Sequence, residues 1–148
     1  MNAGGLLLLD TSVVVHLCRG DEVGSRIDTS YGLRTRPERP LISVVTVGET
    51  LGFGKQRRWG EEKMAILRDV LTEFVVVDIN HRDILERYAE IRALDRGSGW
   101  NLSQNDTWIA ATASVTRALL LTTDRDFSRV DAAILSCSYI ESQTTKVQ

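Results

Sequence analysis

Two apolar runs constrain this 148-residue chain more than any other feature, "LLLL" at 6–9 and "ALLLTT" at 118–123. Unbroken runs of this kind suit strands buried on both faces, which occur in parallel sheets covered by helices. Each run leads into an acid, Asp10 in "LLLLD" and Asp124 in "LLLTTD". Charge is costly where water is scarce, so two carboxylates at such positions need a reason.

The segments between the runs read as helices and further strands. A short helix starts near Thr11, and a second helical stretch lies within 21–33, where Asp21 can cap. Residues 34–40 are turn-rich, with Pro37 and Pro40. A helix is expected from about Ser43 to Arg58, although Gly48, Gly52 and Gly54 lower its propensity. Met64, Leu67, Val70, Leu71 and Phe74 recur at helical spacing, and "FVVVDI" (74–79) follows as a strand. Residues 81–94 put Ile84, Tyr88 and Ile91 on one helical face until "GSGW" breaks the pattern. Ser103 with Asp106 three residues on resembles a capping box for a helix continuing through "TWIAATASV". "SYIE" reads as a last short strand. Strands alternating with helices predict one α/β domain over 1–148 with a central, mainly parallel sheet. Ligands bind beyond the carboxyl ends of such strands, where Asp10 and Asp124 lie.

Composition narrows the setting. Apolar residues are 43% and charged residues 26%, an ordinary globular balance. No apolar run approaches the ~18 residues of a membrane span, and the N-terminus lacks the basic segment of a signal peptide. Two distant cysteines, Cys18 and Cys137, suit a reduced, cytoplasmic protein and are expected as small core residues. The net charge is −2, but residues 1–60 carry +2 and residues 61–148 carry −4. Two basic clusters stand out, "RTRPER" with Arg34, Arg36 and Arg39, and "KQRRW" with Lys55, Arg57 and Arg58. Each alone is a solvated run; together they offer a phosphate-binding surface. Trp59, beside Arg57 and Arg58, is a candidate nucleic-acid contact, and Trp108 is expected to be buried.

Two further acids join Asp10 and Asp124. Asp106 opens a helix whose next turn is small and apolar, and Glu49 stands in the apolar "ISVVTVGETLGFG". Singly, each acid has a structural explanation as a cap, a dipole partner or an exposed side chain. Four carboxylates converging at one sheet edge would repel one another unless some bind protons or a cation compensates them. An all-oxygen site favours Mg²⁺ or Mn²⁺, and such ions support phosphodiester hydrolysis. Thr11, Ser12, Thr122 and Thr123 can orient the carboxylates or water around them.

These residues, from Asp10-Thr-Ser through Glu49 to "NDTWIAATA" (105–113) and "LLTTDRDF" (120–127), resemble the PIN domain family. More narrowly they resemble VapC-type ribonuclease toxins of toxin–antitoxin modules. The resemblance implies a three-layer α/β/α fold and a Mg²⁺- or Mn²⁺-dependent endoribonuclease. It implies an acidic quartet of Asp10, Glu49, Asp106 and Asp124, with Asp126 as an alternative to Asp124 and Asn105 in the same motif. It also implies an RNA substrate, a homodimer and a small antitoxin, VapB-like, whose tail enters the site.

Other chemistries fit less well. His16 and His81 are the only histidines, without a zinc motif, and no GxSxG elbow is present. "GETLGFGK" fails as a P-loop because Glu49 stands at the required glycine and Gln56 replaces Ser/Thr. The alternatives are a PIN nuclease of RNA or DNA processing outside toxin modules, an inactive PIN-like binding module, and an aspartyl phosphotransfer domain that leaves "NDTWIAATA" unexplained.

Overall fold

The computed structural model describes residues 5–142. Strand β1 (Leu7–Leu9) is followed by helices α1 (Thr11–Arg19) and α2 (Glu22–Tyr31), then β2 (Leu41–Ser43), α3 (Val44–Gln56) and α4 (Glu61–Leu71). Strand β3 (Val75–Val77), helices α5 (Arg82–Ser98) and α6 (Gln104–Thr116), β4 (Leu119–Thr122), a 3₁₀ turn (Arg125–Arg129) and β5 (Cys137–Tyr139) complete it. The strands form one parallel sheet in the order β3-β2-β1-β4-β5.

The leucine run works by alternation. Successive strand side chains point to opposite faces, so Leu7 and Leu9 join Val13, Val14, Ile27, Ile42 and Leu67 on one side. Leu8 joins Ile84, Ile91, Ile109, Leu120 and Phe127 on the other. Both sets are buried, which gives the three layers: α1, α2, α3 and α4 on one face, α5 and α6 on the other. In the register, Leu7, Leu8 and Leu9 pair with Leu119, Leu120 and Leu121. The two apolar runs are therefore neighbouring central strands, and their following acids emerge at one edge.

The structure departs from the sequence reading in four places. Strand β2 was not expected; "LIS" is too short to separate from the helix it precedes, and Ser43 both ends the strand and caps α3, its Oγ accepting from Val45 N–H at 3.1 Å. Helix α5 continues past residue 94 through Gly97 to Ser98, and stops at Gly99, whose left-handed φ of +70° favours a residue without Cβ. Cys18 is buried, but Cys137 lies half-buried on the edge strand β5. Trp108 is also only half-buried, stacked on Tyr88 with ring centroids 3.7 Å apart between α5 and α6. No helix of the described residues is long and apolar enough to cross a membrane.

Candidate metal centre

The carboxyl edge of the sheet is organised by hydrogen bonds that begin at Asp10. Its backbone N–H donates to Leu121 O at 2.9 Å, extending the ladder between β1 and β4, and its side chain caps α1. Oδ1 accepts Thr11 N–H at 2.8 Å, while Oδ2 accepts both Ser12 Oγ and Thr122 Oγ1 at 2.8 Å. Asp10 is only 4% exposed. Burial pushes its pKa up, while these donors pull it down and the charge of Asp124 raises it further.

The same hydroxyls reach the second strand's acid. Thr122 Oγ1 accepts Asp124 N–H at 2.9 Å, and Ser12 Oγ accepts Thr123 N–H at 3.1 Å. Asp124 caps the 3₁₀ turn by accepting Asp126 N–H at 2.9 Å. "DTS" and "TTD" thus fasten one strand end to the other.

Asp106 approaches from α6, whose N-terminus Ser103 caps by accepting Asp106 N–H at 3.1 Å. One carboxylate oxygen each from Asp106, Asp124 and Asp126 fall within 4.8 Å of one another. Burial, then the charges of Asp10, Asp124 and Glu49, push the Asp106 pKa up to about 7. The fold thus brings both Asp124 and Asp126 close to Asp106. Glu49 reaches in from α3, with Oε1 accepting Thr11 Oγ1 at 2.8 Å and Oε2 accepting Asn105 Nδ2 at 3.3 Å. Thr46 Oγ1 lies 3.0 Å from the Thr11 hydroxyl. A groove of ≈ 610 Å³ opens beside Glu49, Thr11 and Asn105 and runs along α3 past Gly48, Gly52 and Phe53.

Three supporting residues escaped the sequence reading. Thr46 was one more hydroxyl in an apolar helix. Buried Asp95 accepts Asn101 N–H at 2.7 Å and Leu102 N–H at 3.0 Å, fixing the loop that delivers Ser103 and α6. No local pattern marks it. Arg129 pairs with Asp126 at 3.4 Å and donates to Trp100 O at 3.1 Å, joining the acids to that loop. Its i,i+3 spacing from Asp126 was the available signal.

The two basic clusters separate. Arg34 lies beside Asp28 and Glu73, Arg36 donates to Tyr31 O and Gly5 O, and Arg39 donates to Thr72 O at 3.4 Å. Gly5 and Thr72 precede β1 and β3, so these three arginines sit at the amino ends of the strands, the edge opposite the acids. They hold the 34–40 segment in place. Lys55, Arg57 and Arg58 instead follow the groove, at the end of α3.

A parallel sheet with four acids and a fifth at its carboxyl edge defines the class of protein. The PIN domain family profile matches residues 7–133, and the chain belongs to that family. Among solved structures it is similar to VapBC2 of Rickettsia felis bound to a promoter DNA fragment, with TM-score 0.77, 18% identity, and coverage of 90% of this chain and 98% of that one. A toxin–antitoxin complex from Klebsiella pneumoniae gives TM-score 0.66 and 26% identity, covering 89% and 95%. VapBC-5 of Mycobacterium tuberculosis gives TM-score 0.67 and 25% identity, covering 92% and 99%. The chain is thus a PIN domain resembling VapC-type toxins. No curated protein matches the sequence.

Proposed function

We propose that this chain is a divalent-metal-dependent endoribonuclease, the toxin of a type II toxin–antitoxin pair. In this reading it acts in the cytoplasm as a homodimer restrained by a small VapB-like antitoxin. The convergence of Asp106, Asp124 and Asp126 beside Asp10 and Glu49 carries the catalytic part. Membership of the PIN family and the toxin–antitoxin neighbours support the rest.

The donor set is oxygen alone, which fits Mg²⁺ or Mn²⁺ better than zinc. Burial first, and then the charges of Asp10, Asp124 and Glu49, raise the Asp106 pKa, and a cation relieves the second of these causes. Asp106, Asp124 and Asp126 would hold the ion, with Asp10 and Glu49 adding charge. Bound there, a divalent ion supplies an acidified water and neutralises charge on a phosphoryl group. The chain's own residues perform the positioning. Ser12, Thr122 and the Thr11 amide hold Asp10 in one orientation. Thr11 and Asn105 hold Glu49 at the groove, where its carboxylate can orient the attacking water and accept its proton. Hydrolysis in this manner leaves 5′-phosphate and 3′-hydroxyl ends.

The test compares the native protein with Asp10→Asn on single-stranded RNA, in Mn²⁺ and in EDTA, with sequencing of the RNA ends. Cleavage should require Mn²⁺ and fall by about a hundredfold or more in the variant. Equal cleavage by both proteins would overturn the assignment.

A further inference from the structure

The groove beside Glu49 does not end in solvent alone. Phe53 forms its far wall, and the Phe53 ring carries two guanidinium groups, Arg57 at 4.4 Å and Arg19 at 5.2 Å from its centroid. Trp59 meets the same ring edge-on at 5.7 Å, and Lys63 Nζ lies 5.5 Å from the Trp59 centroid. A second cavity of ≈ 340 Å³ is lined by Arg19, Arg57, Trp59 and Lys63 with Cys18 and Ile66, and no carboxylate. Among the described residues none of Arg19, Arg57 and Lys63 has an ion pair within 4.0 Å or a side-chain hydrogen bond; the charge of Arg19 reaches Asp21 only at longer range. The "RTRPER" arginines, by contrast, are occupied by carboxylates and carbonyls.

We infer that Arg19, Arg57 and Lys63, presented on Phe53 and Trp59, form a phosphate clamp for single-stranded RNA running along α3 from the acidic centre. The inference rests on the nuclease reading, since that supplies the reason for a strand to start at Glu49. Arg57, the C-cap of α3, stands eight positions after Glu49, about 12 Å of helical rise, the reach of a few nucleotides. Stacking on an aromatic face fixes a guanidinium plane while leaving its N–H edges free for phosphate oxygens. The flat side chains beside it suit unpaired bases, which a duplex does not offer. Three cations without an ion pair within 4.0 Å among the described residues, on a chain of net charge −2, give the complementarity. Gly48 and Gly52 keep the path open: a Cβ built on either meets nothing within 4 Å.

The experiment measures anisotropy of a short fluorescein-labelled single-stranded RNA across a salt series, with the full chain in EDTA so that nothing is cut. The double variant Arg19→Gln/Arg57→Gln should weaken binding about tenfold or more. It should also flatten the log–log salt dependence by roughly 1.4, at about 0.7 per lost phosphate contact. Gly52→Leu provides an independent arm: it fills open space on a helix, so melting should not fall, while RNA binding should be lost. Unchanged affinity and slope in both variants would overturn the clamp, as would equal competition by an RNA duplex or an oligoglutamate peptide. Mn²⁺ calorimetry separates the two readings. RNA binding by the clamp without Mn²⁺ binding would remove the nuclease and keep the clamp; Mn²⁺-dependent cleavage indifferent to Arg19 and Arg57 would do the reverse.

Discussion

Asp10 shows how a buried carboxylate is made tolerable. At 4% exposure it would be strongly destabilising alone, yet its two oxygens accept one amide and two hydroxyls. Thr122 serves twice, donating to Asp10 and accepting from the Asp124 amide. Thr122→Val keeps the shape and removes both bonds. Its expected cost is about 1–3 kcal/mol in urea unfolding, with Mn²⁺ affinity at the acids falling roughly tenfold because Asp10 and Asp124 lose their common fixing point. Val at this position leaving both quantities unchanged would show that the hydroxyl merely fills space.

Helix packing makes the same substitution act in opposite directions at two glycines. A Cβ on Gly24 in α2 would lie 2.5 Å from His16 O in α1, a backbone atom that cannot rotate away. Gly24→Ala should therefore destabilise by about 1–3 kcal/mol or more through overpacking. Gly48 in α3 faces open space, so Gly48→Ala should stabilise by up to about 1 kcal/mol through helix propensity. Paired thermal melts decide this, and a shared sign would contradict the packing described. The start of α6 depends similarly on Asp95 in α5. Asp95→Ala leaves the Asn101 and Leu102 amides without their acceptor, for an expected loss of about 1–3 kcal/mol. Hydrogen exchange at those two amides should accelerate before exchange in the sheet does.

Across the chain, the acids form one charge system that couples folding to pH and to cations. In an unfolded chain Asp106 titrates near 3.8, and in the fold near 7. A carboxyl with a raised folded pKa binds its proton more tightly in the native state. Its stabilising contribution is complete below pH 3.8, declines above it, and is gone once pH exceeds about 7. Asp10 shifts in the same direction. In EDTA, urea unfolding should therefore show the native protein losing more stability between pH 4 and pH 8 than Asp106→Asn does. Mn²⁺ at a hundred times its dissociation constant should restore about 2.7 kcal/mol at pH 8. A parallel pH dependence for both proteins would mean that neither burial nor the neighbouring acids raise the Asp106 pKa in the fold.

The sequence alone carried the strand and helix alternation, the two buried runs, and the placing of Asp10 and Asp124 after strands and of Asp106 in a first helical turn, because burial periodicity and capping are local properties. It also carried the PIN resemblance, which the family match upholds. Strand β2 was lost because three residues hold too little periodicity to distinguish a strand from a helix start. The tertiary structure decided what depends on distance across the chain. Parallel pairing of β1 with β4 brought Asp10 to Thr122, 112 positions away. The fold also put Asp106 beside Asp124 and Asp126, set Asp95 and Arg129 against the loop before α6, and parted two similar basic clusters, one at the amino ends of the strands and one at the end of α3. Charge is written in the sequence, but its partners are set by chain topology, and the partners decide whether an arginine braces a loop or meets a ligand.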